Sequence, residues 1–204
     1  MDGILATART AVVIFAGTNV DDLVVVTVLF LSAQAGGRPR AWQIWAGQYA
    51  GIAALVAVSV AAALGLLIVP GSWVGLLGVV PLALGARRLV AAATGRDPRT
   101  GAARAAATGL ASVAGLTIAN GGDNIAVYVP VFRTIGGPAT LLTLALFAGC
   151  VALWCLAGSW LGSHKKLVEI IERYGVWIVP AVYILIGVAI IISSGIIGRL
   201  QSFA

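Results

Sequence analysis

Six long apolar runs leave this 204-residue chain few folds to adopt. They cover approximately residues 11–33, 42–69, 73–93, 106–131, 137–161 and 176–198. A bilayer core about 30 Å thick takes roughly 20 apolar residues of α-helix, so each run can cross once. Within hydrocarbon every backbone N–H and C=O needs an internal partner, which admits only helices and closed barrels. The runs are continuous rather than alternating, and that pattern excludes a barrel. The expected fold is therefore an all-α integral membrane protein with six transmembrane helices and the lipid bilayer as its principal partner. Composition agrees. Hydrophobic residues make up 60% and charged residues 10%, against roughly 25% charged in soluble domains. Mean hydropathy is +1.04. A soluble domain, a disordered chain and a nucleic-acid binder are all excluded. The net charge of +6 reports orientation in the bilayer rather than an acidic partner.

The first run could be mistaken for a cleaved leader, because Ala33-Gln34-Ala35 resembles a processing site. It is longer than the 7–15 residues of a signal core, and it carries two aspartates, so it is expected to be retained as a span. The loops set the orientation. Arg9, Arg133 and Arg199 fall on one side. Arg38, Arg40, Arg87, Arg88, Arg96, Arg99, Arg104, Lys165, Lys166 and Arg173 fall on the other. Three against ten places both termini outside the cytoplasm. Trp42, Trp45, Trp73, Trp160 and Trp177 lie near span ends, as interfacial aromatics do, whereas Trp154 reads as packing.

Three spans fill each half, residues 1–93 and 106–204, joined by a small, basic cytoplasmic linker at 94–105. The first span of each half repeats one signature. Asn19 and Asp22 form N-x-x-D, and so do Asn120 and Asp123, 101 residues later. An odd number of spans per half inserts the second half upside down, giving two inverted three-helix repeats, an architecture whose sites lie at the midplane on discontinuous helices. At about 1.5 Å per residue, Asn19 and Asp123 each lie roughly 12 Å from the outer surface, and Asp22 and Asn120 roughly 17 Å. All four are expected near mid-membrane.

Each mid-membrane Asp costs about 2.5–3.5 kcal/mol to insert. Asp21, Asp22 and Asp123 together oppose insertion by on the order of 8–10 kcal/mol. With Arg87 and Arg88 assigned to the cytoplasmic loop side, no Lys, Arg or His inside a span is expected to neutralise them. Uncompensated intramembrane carboxylates mark a functional site, and a bound cation would supply the missing charge. The structural alternative is protonated carboxyls joined to Asn and Thr18 as glue between helices. Residues three apart share a helix face, so each N-x-x-D can address one point, and Asn124 joins Asn120. Gly121-Gly122 eases local unwinding and Pro130 removes a helical donor, freeing backbone carbonyls as further oxygen ligands. Intact helix would turn only one of Asp21 and Asp22 to the centre, whereas a break would admit both.

The segments Gly17-Thr18-Asn19-Val20-Asp21-Asp22-Leu23 and Ala119-Asn120-Gly121-Gly122-Asp123-Asn124-Ile125-Ala126-Val127-Tyr128-Val129-Pro130 resemble the cadmium resistance transporter family of the lysine-exporter superfamily. The resemblance extends over essentially the whole chain. It implies a secondary exporter of divalent cations in the bacterial inner membrane, not an enzyme, with Asn19, Asp21, Asp22, Asn120, Asp123 and Asn124 as the metal-site residues. No resident cofactor is expected, the metal being cargo.

The oxygen donors suit harder ions better than soft Cd²⁺, which prefers thiolate, so the choice of metal stays open. Cys150 and Cys155 are five residues apart on one span and point about 140° apart, so they are expected to pack rather than ligate. His164 reads as a solvated loop residue. Residues 164–174 read as a short interfacial helix, and Gly75, Gly78, Gly85, Gly149 and Gly158 as close-packing positions. With no phosphate-binding loop in the sequence, uphill export would draw on protons as the coupling ion. Export of organic cations or basic amino acids is the alternative within the superfamily. An intramembrane aspartyl protease is a third reading, disfavoured because Asn120 stands where a G-x-G-D pattern needs Gly. Self-association into a homo-oligomer is left open.

Overall fold

The computed structural model describes residues 2–68, 76–94, 108–162 and 165–193. Eight α-helices account for nearly all of them, and no strand occurs among the described residues. In chain order they are α1 (Asp2–Thr18), α2 (Val20–Gly36), α3 (Ala41–Gly65), α4 (Val79–Ala93), α5 (Leu110–Gly121), α6 (Asn124–Thr134), α7 (Gly137–Leu161) and α8 (Lys165–Ser193). Local chemistry explains several ends. Helix α2 stops where Gly37 takes φ +69° and its N–H closes on Ala33 O, the left-handed termination that glycine permits. The Arg40 N–H donates to Gln43 Oε1 at 2.9 Å at the start of α3, and a proline sits in the first turn of α7, where no donor is lost.

Three helical segments are long and apolar enough to cross a membrane, namely Ala41–Ile68, Leu76–Ala93 and Gly137–Leu161. The pair Gly3–Thr18 and Val20–Gly36, bent by 60°, makes a fourth candidate. The remaining two expected spans fall on α5 with α6, which are 12 and 11 residues long, and on α8, whose apolar stretch is Trp177–Ile192. Polarity runs opposite to that of a soluble core. Asn19, Asp22, Gln48, Thr117 and Asn124 are buried, while Leu141, Leu153, Leu185 and Ile192 are exposed. A surface like that matches hydrocarbon, and a multi-pass membrane protein follows.

The packing is reciprocal between the halves. Helix α3 lies against α5 and α6, α7 lies against α1 and α2, and α4 lies along α8. The unbroken helices α3 and α7 thus each cover the interrupted helix of the other half, while α4 and α8 pair with each other. Missing side chains allow the approach. Gly47 and Gly51 face Val113 and Thr117, Gly158 faces Val26, and Gly78 and Gly187 face each other's backbone. Gly78, Gly85 and Gly158 therefore act as expected. Gly149 does not, since open space surrounds it.

Two further expectations are corrected. Residues from Lys165 onward do not form a separate interfacial helix, because α8 continues unbroken to Ser193. Trp154 does more than pack, since its indole donates a hydrogen bond described below. The Pro70 turn, Trp73, Gly75, most of the 94–105 linker and His164 lie outside the described residues.

Candidate functional site

Of the two alternatives for the first span the structure shows the break, and it meets a second interruption beside the Gly121-Gly122 pair. The first falls at Asn19, between α1 and α2. The Asn19 side chain competes there for local backbone, with Nδ2 donating to Phe15 O at 2.8 Å. Asparagine makes this substitution readily, which is why it is poor in helix interiors. The Asn19 carbonyl accepts from Leu23 N–H and also from Trp154 Nε1 at 2.7 Å. An indole from α7 thereby anchors the bend from outside the span. The second interruption is Gly122-Asp123, between α5 and α6.

An amide bridge joins the two breaks. Asn124 Nδ2 donates to Asn19 Oδ1 at 3.1 Å, and Asn19 Nδ2 also reaches the Tyr128 hydroxyl at 2.9 Å. The Tyr183 hydroxyl on α8 donates to Asn124 Oδ1 at 2.6 Å. Thr18 adds a contact to the Tyr128 oxygen at 3.2 Å. Beneath the bridge, Phe15, Tyr128, Phe147 and Trp154 stack edge-on or tilted, with ring centroids 5.1–5.4 Å apart. The oxygens of Asn19 and Asn124 each already hold one hydrogen bond, so these two asparagines chiefly fix the breaks against each other.

The carboxylates cluster around that bridge in two groups. Asp21 and Asp22 occupy the first turn of α2, and Asp123 immediately precedes α6. Every one thus sits at the N-terminal end of a half-helix, where the helix dipole favours negative charge by roughly 0.3–1 kcal/mol, and by up to ~2 when partly buried. That term offsets only part of the insertion cost. Specific partners supply more. Asp22 is almost fully buried, and its Oδ2 accepts from Gln48 Nε2 on α3. Gln48 Oε1 in turn accepts from the Thr117 hydroxyl on α5. Asn120 is turned toward the Asp22 carboxylate. Even so, Asp22 Oδ1 and Asn120 Nδ2, both buried, complete no hydrogen bond with each other or with another described residue.

The second group overturns the expectation of no basic partner within a span. Arg88, on α4, pairs with Asp123 through Nη2 and lies 3.7 Å from Asp21 Oδ2 through Nη1. Its guanidinium lies over the Tyr183 ring, 4.9 Å from the centroid. The sequence held the signal. Pro81 and Gly85 are the buried positions of α4, and Arg88 continues their i, i+4, i+7 stripe. Arg87 is exposed, and its company made the pair look like a juxtamembrane charge run. Removing Arg88 from the loop count leaves nine basic residues against three, so the orientation bias persists.

Among the described residues, the cluster therefore carries three carboxylates and one guanidinium, a formal charge of −2 with all groups ionised. Asp21, Asp123 and Arg88 keep 14–20% side-chain exposure, whereas Asp22 lies deeper. No group of three or more His, Cys, Asp and Glu side chains close enough to hold a metal occurs among the described residues. Cys150 and Cys155 are buried on α7. Of the sequence-derived residues, Asn19 and Asn124 are hydrogen-bonded together, Asp22 and Asn120 are neighbours, and Asp21 and Asp123 share Arg88. Gln48, Thr117, Arg88, Tyr128, Tyr183 and Trp154 are additional participants. The family model described as cadmium resistance transporter matches residues 15–203 of the chain. No curated protein and no solved structure matches it.

Proposed function

The chain belongs to the cadmium resistance transporter family, and on that premise we propose that it is a secondary-active exporter of divalent metal cations across the bacterial inner membrane. Metal-ion transport is what the family carries out. The finer reading assigns six spans in two inverted repeats, an oxygen-rich midplane site and exchange against protons. One observation carries it: both helix breaks deliver carboxylates into the interior of an apolar bundle, Asp22 almost fully buried and Asp21 and Asp123 largely so. Metal and protons compete for the same carboxylate oxygens. The reciprocal packing of the halves supports the repeat. Asp22 Oδ1, buried and open, with Asp21 and Asp123, supplies the anionic ligands. Asn19, Asn120 and Asn124 supply amide oxygens or hold the ligands in place. Oxygen ligation is weak toward soft Cd²⁺, which suits a carrier that must let its cargo go.

The alternative, export of small organic cations or basic amino acids, has one observation in its favour. The carboxylates already hold a guanidinium, the head group of arginine. Everted vesicles decide between them. They should accumulate Cd²⁺, Zn²⁺ or Mn²⁺ when the interior is acid and release protons from that interior, while arginine and lysine leave the flux unchanged. Inhibition by arginine, with its own uptake, would establish the alternative. Metal flux indifferent to pH gradients at constant membrane potential would remove proton exchange.

A further inference from the structure

We propose that Arg88 is a built-in substitute cation, seated between Asp21 and Asp123 when the carrier is empty and displaced by the entering metal. The inference rests on the metal-transport reading and names a device within that site. Three observations lead to it. First, Arg88 reaches carboxylates of both halves, Asp21 on α2 and Asp123 ahead of α6, from a third element, α4. One guanidinium thus ties together the parts that alternating access would move. Second, a divalent cation bound to Asp123 repels a guanidinium held on the same carboxylate, and that repulsion is strong in a poorly solvated site. Loading therefore weakens the Arg88 pair and favours its release. Third, the guanidinium has a resting place besides the carboxylates, since it lies over the Tyr183 ring, and such cation–ring contact persists without an anion. Tyr183 is itself held by Asn124, so the ring keeps its position at the break.

The consequence is a competition inside one molecule. With metal absent, Arg88 neutralises part of the acidic cluster and lets the empty carrier reorient without exposing bare carboxylates to hydrocarbon. With metal bound, Arg88 stands ready to re-form its pair, which weakens metal binding and hastens release. Arg88 therefore lowers the affinity for metal and sets the release and return steps.

The test uses the full chain, purified in detergent and reconstituted, with Cd²⁺ as the probe. R88Q should bind Cd²⁺ about tenfold tighter or more, equivalent to ~1.4 kcal/mol. It should lose net efflux while keeping Cd²⁺/Cd²⁺ exchange across the bilayer. R88K should recover part of the net efflux. Unchanged or weaker binding by R88Q, or parallel loss of exchange and net efflux, overturns the proposal. A second measurement needs no variant. Phenylglyoxal modification of wild-type protein, mapped to residue 88 by mass spectrometry, should rise when Cd²⁺ is added, and no change or protection overturns it. A wild-type chain that neither binds nor moves Cd²⁺ sinks the transport reading itself. A wild-type chain that moves Cd²⁺ beside an R88Q of wild-type affinity sinks only the role of Arg88.

Discussion

Asp22 has one oxygen engaged by Gln48 and one buried without a hydrogen-bond partner among the described residues, and the two oxygens predict different mutational behaviour. Asp22→Asn keeps volume and removes charge, so metal resistance should fall to the level of cells lacking the transporter, at normal expression. Asp123→Asn should do the same, and full resistance in both variants would remove the carboxylates from the mechanism. Gln48→Leu leaves Asp22 Oδ2 without its donor, a loss of about 1–3 kcal/mol for a buried group, and should lower resistance less than Asp22→Asn does. Asn19→Ala is expected to act mainly on stability. It strips partners from Asn124 and Tyr128 at once, so the thermal midpoint in detergent should drop more sharply than metal affinity. The acidic members of this cluster were legible in the sequence because a carboxylate in hydrocarbon is costly wherever it points. Gln48 and Thr117 were not, since one amide and one hydroxyl in an apolar run cost little and carry no periodic mark. Arg88 was hidden by its neighbour Arg87.

Interrupted helices and close glycine contacts operate at the level of elements. The break after Gly121 follows from local chemistry, two glycines in succession. At Asn19 a local contact and a distant one coincide, its own Nδ2 on Phe15 O and the Trp154 indole of α7 on the carbonyl at the bend. No neighbour of Asn19 in the chain forecasts the indole bond. Proline inside α6 and α8 leaves both helices continuous, so proline alone did not locate the interruptions. Where α4 crosses α8, a Cβ on Gly78 would lie 2.7 Å from Gly187 O, and one on Gly187 would lie 2.7 Å from Gly78 O. Gly187→Leu should therefore force the pair apart at a cost of about 1–3 kcal/mol. Its unfolding midpoint should fall and its transport with it, since α4 carries Arg88 and α8 carries Tyr183. Gly149→Leu, in open space, is the matched control. Equal midpoints for the two variants would mean that α4 and α8 pack less closely than their backbones indicate.

For the whole molecule, nine basic residues against three across the two sets of loops predict that both termini face away from the cytoplasm. A reporter active only in the cytoplasm should be silent when fused after Ala204 and active when inserted in the 94–105 linker. The reverse pattern would invert the topology and with it the direction of export. Membrane residence, helical class, three or four of the apolar spans and the positions of the anionic residues were readable from the chain. Each reflects a transfer cost between water and hydrocarbon that accrues residue by residue, whatever the partners. The partners themselves were not readable. That α3 covers α5 and α6 while α7 covers α1 and α2, that Asn19 meets Asn124, and that Arg88 enters the acidic cluster instead of the cytoplasmic surface all depend on helix rotation and contact between segments far apart in sequence. Hydropathy measures how strongly a helix prefers lipid, but in lipid that preference is nearly the same on every apolar face. Packing of small residues and pairing of buried polar groups must choose the face, and those terms exist only once the helices have assembled.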